Sequence, residues 1–447
     1  MRGLKSTLAL LVVLIGLGAY AYFYVAKQDE SASTQQEKVF PGVESDKIAE
    51  LTVKSESGDV TTLKKDESNV WQMVAPAPAK AADIEVTGVT SAIQSVDIAR
   101  VLEENATDLK QYGLDPARIE VSFKSADGKE SGKLLIGQKT STGGNVYAKR
   151  ADQPRVLLIP AFNETTLNKS TFDLRDKTLV AFERSTVDSI EVTNDGKSFH
   201  LVKSGEDWKL TSPISSRADV TAADGLVSRL EMAQIKSIVT TNASADDLKK
   251  YGLDKPAATL VLGQGSARIT VAIGGKAGDD VYVRDVSKPT VATIEQAFAD
   301  DVKKGFEDYR QKELFNFRAF NATRLELTRG GKTVAFERVK ATDGKADTWK
   351  RVTEPTVDVV DKDKIETLLT GLADIRAQSF TTSRVNTGLE SPVLTVVAKY
   401  DEGKKEERVV FGKVGNDVYA GTVDPGAAKI EPTRLDEALK SLDELSK

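Results

Sequence analysis

Apolar and polar residues alternate in short runs along most of this chain, and the same runs return at a fixed distance. Leu51-Thr52-Val53, Ile190-Glu191-Val192 and Leu325-Glu326-Leu327 each place two apolar residues on one face of a strand. A turn follows each of them: Ser57-Gly58-Asp59, Asn194-Asp195-Gly196 and Gly330-Gly331. These residues tolerate the positive φ that tight hairpins require. The next strand carries a tryptophan, Trp71, Trp208 or Trp349, spaced 137 and 141 residues apart. It runs to Pro76, Pro213 or Pro355, where a ladder cannot continue. Each unit of the pattern is therefore expected to open with an antiparallel meander.

The period then changes from two to that of a helix. Val86, Val89, Ile93 and Val96 form an apolar stripe. Val220, Ala223, Leu226 and Leu230 form the second, and Ile365, Leu368, Leu372 and Ile375 the third. Asp83, Asp219 and Asp361 stand where an N-cap would be, and the helices are expected to lie over the sheet. Each stripe leads into a shared phrase. It reads Tyr112-Gly113-Leu114-Asp115 before Pro116, then Tyr251-Gly252-Leu253-Asp254 before Lys255-Pro256. A worn copy reads Gly388-Leu389-Glu390-Ser391-Pro392. A left-handed glycine, a hydrophobic residue that folds back and a proline are together a helix stop. Strands ending in Ile136-Gly137, Ile273-Gly274 and Phe411-Gly412 come next, each glycine read as a turn or bulge. Val146-Tyr147, Val281-Tyr282 and Val418-Tyr419 open the following strand, and a polar helical stretch closes each unit. The repeat period is too long for a solenoid and indicates tandem domain duplication. Without Gly/Ser linkers, neighbouring modules are expected to touch.

The N-terminus departs from this pattern. Arg2 and Lys5 precede an uncharged run over residues 6–26 that is long enough to span a bilayer as a helix. The basic end suits the cytoplasmic side, and Tyr20, Tyr22, Phe23 and Tyr24 suit the far interface. The run is longer than a signal-peptide core, which favours a retained anchor.

Composition narrows the chemistry. The chain has 447 residues, and 62 basic against 67 acidic side chains leave a net charge of −5. That argues against nucleic-acid binding, which favours a basic surplus. There is no cysteine and only one histidine, His200, so thiolate sites and histidine-built metal centres are excluded by count. No G-x-S-x-G is present, and Gly274-Gly275-Lys276 and Gly330-Gly331-Lys332-Thr333 lack the earlier glycine of a phosphate loop. Asp358, Asp361 and Asp363 lack the glycine and terminal glutamate of a calcium loop. No catalytic, cofactor-binding or metal-binding residue is therefore assigned. The repeated Tyr112/Asp115 and Tyr251/Asp254 could line a glycan or peptide site, but their phrase reads more simply as packing.

Taken together, the anchor, Val39-Phe40-Pro41, the Trp-to-Pro strands, Tyr-Gly-Leu-Asp and the phrase from Phe172 to Lys177 resemble the bacterial family called domain of unknown function 4340. The third copy departs by lacking the tyrosine and by carrying Glu390 for the aspartate. The resemblance implies an extracytoplasmic place. For some members it also implies a gene beside an ABC transporter of the gliding-motility type. It supplies no catalytic residue.

The expected fold is α+β, with three tandem homologous modules, each a mostly antiparallel sheet with covering helices. The expected division is a transmembrane anchor at 1–26, a polar tether at 27–37, and modules at 38–178, 179–315 and 316–447. The expected function is a non-enzymatic, membrane-anchored binding or scaffold protein of the inner membrane, with its N-terminus in the cytoplasm. Its partners would be the membrane and a protein of an envelope transport complex, with no nucleic acid. A glycan or peptide receptor is the first alternative and an Asp/Glu hydrolase the second.

Overall fold

In the computed structural model the described residues are 37–341, 346–353 and 358–445. They form three antiparallel sheets of nine strands each. The framework divides into two compact units, one ending at Lys177 and the other beginning at Thr178. The first sheet lies in the first unit, and the second and third lie in the other. The expected anchor at 1–26, and all of the tether but its last residue, fall outside the described residues. Among those described, no helix is long and apolar enough to cross a membrane.

The first sheet shows the plan. Its strands are β1 (Ile48–Lys54), β2 (Val60–Lys65), β3 (Trp71–Ala75), β4 (Ala79–Lys80), β5 (Arg100–Glu103), β6 (Ile119–Ser125), β7 (Ser131–Lys139), β8 (Asn145–Arg150) and β9 (Val156–Pro160). They stand in the order β4-β3-β2-β1-β6-β7-β8-β9-β5, and the other two sheets repeat that order. Two meanders thus meet at the β1–β6 pair, and the helix α1 (Asp83–Ser95) crosses between them in sequence. Its stripe, Val86, Val89 and Ile93, shares one buried cluster with Leu51, Val53, Leu63 and Met73 of the strands. A short helix α2 (Phe162–Leu167) follows β9 and adds Leu167.

The second sheet uses α3 (Val220–Glu231), α4 (Ala245–Lys250) and α5 (Gln296–Val302), and the third α6 (Lys362–Ala373) and α7 (Pro432–Leu445). Local chemistry sets these elements. Asp195 and Gly196 have φ of 47° and 75°, and Gly330 and Gly331 have 55° and 77°, so both hairpins take the turn whose twist matches the strands. Asp219 accepts from the Ala222 N–H at 3.0 Å, and Asp361 accepts from Asp363 and Lys364, so each caps its helix. Asp83 does not: Ala82 is the cap, and Asp83 is already the first helical residue. Its carboxylate therefore meets the helix as a first-turn charge.

Extended segments tie the sheets off. Lys38, Thr178 and Glu313 each bridge a residue just past the main helix, Asp97, Gln234 and Arg376 respectively. Arg175 bridges Ala81 beside β4, and Arg310 bridges Ala218 at the matching edge of the second sheet.

Candidate functional site

The Tyr-Gly-Leu-Asp phrases are the natural place to look for a site. In the second sheet α4 opens with a reciprocal cap between Ser244 and Asp247. It ends with the Gly252 N–H donating to the Lys249 carbonyl at 3.1 Å and the Leu253 N–H to the Leu248 carbonyl at 2.7 Å. This paired closure, with Gly252 at φ 69°, is the left-handed helix stop. The first copy makes the same two bonds, Gly113 to Lys110 and Leu114 to Leu109. The helix before it is shorter than expected, a single 3-10 turn over Lys110–Tyr112. The third copy keeps Gly388 at φ 72° but has no helix in front of it.

Tertiary packing explains why the phrase repeats. A Cβ on Gly137 would lie 2.1 Å from the Tyr112 carbonyl oxygen, and on Gly274 2.3 Å from that of Tyr251. On Gly412 it would lie 2.4 Å from the Thr387 carbonyl oxygen. Each strand glycine is thus a seat for the loop. Gly137 lies inside β7 rather than at its end, in a bulge between Ile136 and Lys139. Gly274 sits in a like bulge, whereas Gly412 pairs regularly with Tyr419.

The tyrosines are consumed by the same packing. Tyr112 is buried with Leu114 and Val156, its ring 5.0 Å from that of Tyr147. Leu135 joins this small cluster, while its neighbours Leu134 and Ile136 belong to the main core, so the cluster lies on the opposite face of the sheet. Tyr251 repeats the arrangement against Tyr282 at 4.6 Å. The Tyr112 hydroxyl also donates to Glu103 at 2.5 Å, and that bond, with burial, raises the phenol pKa to about 12. Asp115 and Asp254 are exposed at the surface.

The tryptophans carry a partner that sequence reading missed. Lys65, Lys203 and Arg338 stand directly across the ladder from Trp71, Trp208 and Trp349. Their cationic groups lie 5.4, 5.5 and 5.2 Å from the ring centres. At such range a cation over an indole contributes about 0.5–1 kcal/mol. His200 is a cross-strand neighbour of Thr211, whose hydroxyl lies 3.1 Å from its Nδ1.

A cleft of about 390 Å³ lies beside the second sheet, between α3, α5 and the 3-10 turn Phe306–Tyr309. That volume is within the roughly 300–1,000 Å³ of small-ligand sites. Gly225, Leu226 and Tyr309 give it an apolar floor. Its charges are matched among themselves. Arg229 donates to Glu295 at 2.5 Å and Asp301 at 3.1 Å, and Lys304 reaches Asp301 at 2.8 Å. Burial pushes the Tyr309 phenol well above its ordinary pKa. Among the described residues no group of acids and histidine could hold a metal ion.

The second and third sheets also meet. The Arg217 backbone N–H and Nε donate to the two oxygens of Asp424, both at 3.0 Å. The guanidinium of Arg310 lies 3.7 Å from the centre of the Phe380 ring. The hollow left there is only about 10 Å³, room for about one water. Neither the cleft nor this junction has a sequence signal, because both join residues remote in the chain.

No curated protein matches the chain. A family model does, over residues 71–243 and again over 208–392. Each match begins on a repeated tryptophan, and together they span well over half of the chain. The chain belongs to the family described as domain of unknown function, DUF4340.

Proposed function

We propose that this protein is a membrane-anchored, extracytoplasmic scaffold, accessory to an envelope ABC-type transport complex and without enzymatic activity. Residues 1–26 would be its single inner-membrane helix, with the N-terminus in the cytoplasm and residues 27–37 as the tether. The modules would run over 38–178, 179–315 and 316–447, each sheet covered by its helices. The observation that carries this reading is the use made of the repeated residues. Tyr112, Gly113, Tyr251, Gly252 and Gly388 are all seated against strand glycines, and each tryptophan is locked to a cation across the ladder. The repeat is thus a packing device that builds surface. Crosslinking in native membranes, followed by mass spectrometry, should recover a membrane-protein partner. Recovery of self-contacts alone would sink the reading.

A second reading, a receptor for a glycan or peptide, is favoured by the cleft beside Arg229. Its salt bridges would have to open to ligand, so Arg229→Ala should abolish any saturable binding. Unchanged binding would place the ligand elsewhere.

A further inference from the structure

The first two sheets are closed at the same edge by the same device, and the third is not. Beside β4 the Ala82 N–H donates to the Leu174 carbonyl, and the Lys80 carbonyl accepts from the Asp176 N–H, both at 2.9 Å. In the second sheet the Asp219 N–H donates to Tyr309 at 2.8 Å, and Arg217 accepts from Gln311 at 3.1 Å. The closing strand in each case is an apolar residue followed by arginine, Leu174-Arg175 or Tyr309-Arg310, and it runs antiparallel.

In the third sheet Val359–Val360 holds this place, its inner side paired with Trp349 and Lys350. Where the second sheet's chain follows its last meander strand with α5 and the turn Phe306–Tyr309, the third's follows it with the single helix α7. Leu445 is buried at the end of α7. Through Leu445 the backbone there is helical, unlike the extended segments that pair at Ala81 and Ala218. Among the described residues nothing hydrogen-bonds the outer side of this edge, and Val359 is 65% exposed. An open edge of this kind is a template for strand addition.

We propose that the Val359–Asp361 edge accepts an extended segment of a separate protein partner, an apolar residue followed by a basic one, in antiparallel pairing. Main-chain hydrogen bonds would give the affinity and the apolar and basic side chains the choice of partner. In a second copy the two closing segments, Leu174-Arg175 and Tyr309-Arg310, would already be bound to their own sheets, so the occupant is a separate protein. The proposal rests on the scaffold reading and names where the partner docks.

The test uses a fluorescent peptide copying residues 170–177, Ser-Thr-Phe-Asp-Leu-Arg-Asp-Lys, titrated against the full chain. Saturable binding is expected. Val359→Pro should weaken it at least tenfold, because proline fits an edge position whose N–H faces outward but blocks a further strand. Unchanged circular dichroism and melting of the variant would exclude unfolding. A photocrosslinker at position 359 should also capture the peptide. Absent binding, equal binding by the variant, or a crosslink to the chain's own residues would each overturn the proposal. Should membrane crosslinking find a partner that never reaches position 359, the edge assignment alone falls. If it finds no partner, the scaffold reading falls.

Discussion

Gly137 does not have a left-handed φ, yet only glycine fits there, because the Tyr112 carbonyl occupies the space of a side chain. Gly137→Ala should cost about 1–3 kcal/mol, the range of overpacked cores. Gly88→Ala, in α1 with nothing within 4 Å of the added carbon, should instead stabilise by roughly 0.5–1 kcal/mol. Urea unfolding of the two variants checks the contrast; equal effects would refute the seat. Gly113→Val should also destabilise, since Gly113 sits at φ 66°, whereas Asp115→Asn at the exposed next corner should change little. Tyr112 adds a pH dependence. Its native pKa of about 12 lies above the ordinary 10.0, so its stabilisation is complete below pH 10 and is lost as pH rises through about 12. The stability gap between wild type and Tyr112→Phe should therefore close across that window, and a gap independent of pH would exclude the Glu103 bond as its source.

Helix starts separate residues that look alike in the sequence. Asp219 and Asp361 cap their helices through side-chain oxygens, and Asp83 does not. Asp219→Ala should cost about 1 kcal/mol, as cap losses do. Asp83→Ala loses only a charge near the helix N-terminus, about 0.3–1 kcal/mol and screened by salt. Thermal melts at low and high salt distinguish the two, because only the Asp83 effect should fade. The offset of one residue was not legible in advance. It depends on where the Ala82 N–H finds its acceptor, Leu174, far along the chain.

At the scale of the molecule, the second and third sheets share one compact unit pinned by Arg217 and Asp424. Both side chains are mostly buried there, at 20% and 15% exposure, so the pair is weakly screened. A double-mutant cycle with Arg217→Met and Asp424→Asn should give a coupling of about 0.5–3 kcal/mol. The two sheets should also begin to unfold in separate steps once the pair is broken. A coupling near zero with a single transition would assign the cohesion to the Arg310–Phe380 contact instead.

Local periodicity alone determined the number of sheets, the hairpins and the apolar stripes, while the family followed from the resemblance of the repeated phrases and from the family-model match. Each of the periodic patterns is written within a few consecutive residues and repeated three times. It also located Gly113 and Gly137, Gly252 and Gly274, and Gly388 and Gly412, but not that each pair is in contact. Only the fold decided that, together with the cations facing the tryptophans, the Arg229 cleft, the Arg217–Asp424 pair and the open edge at Val359. These depend on strand register and on segments far apart in sequence, and a pattern of period two or 3.6 carries no information about which distant backbone will arrive beside it.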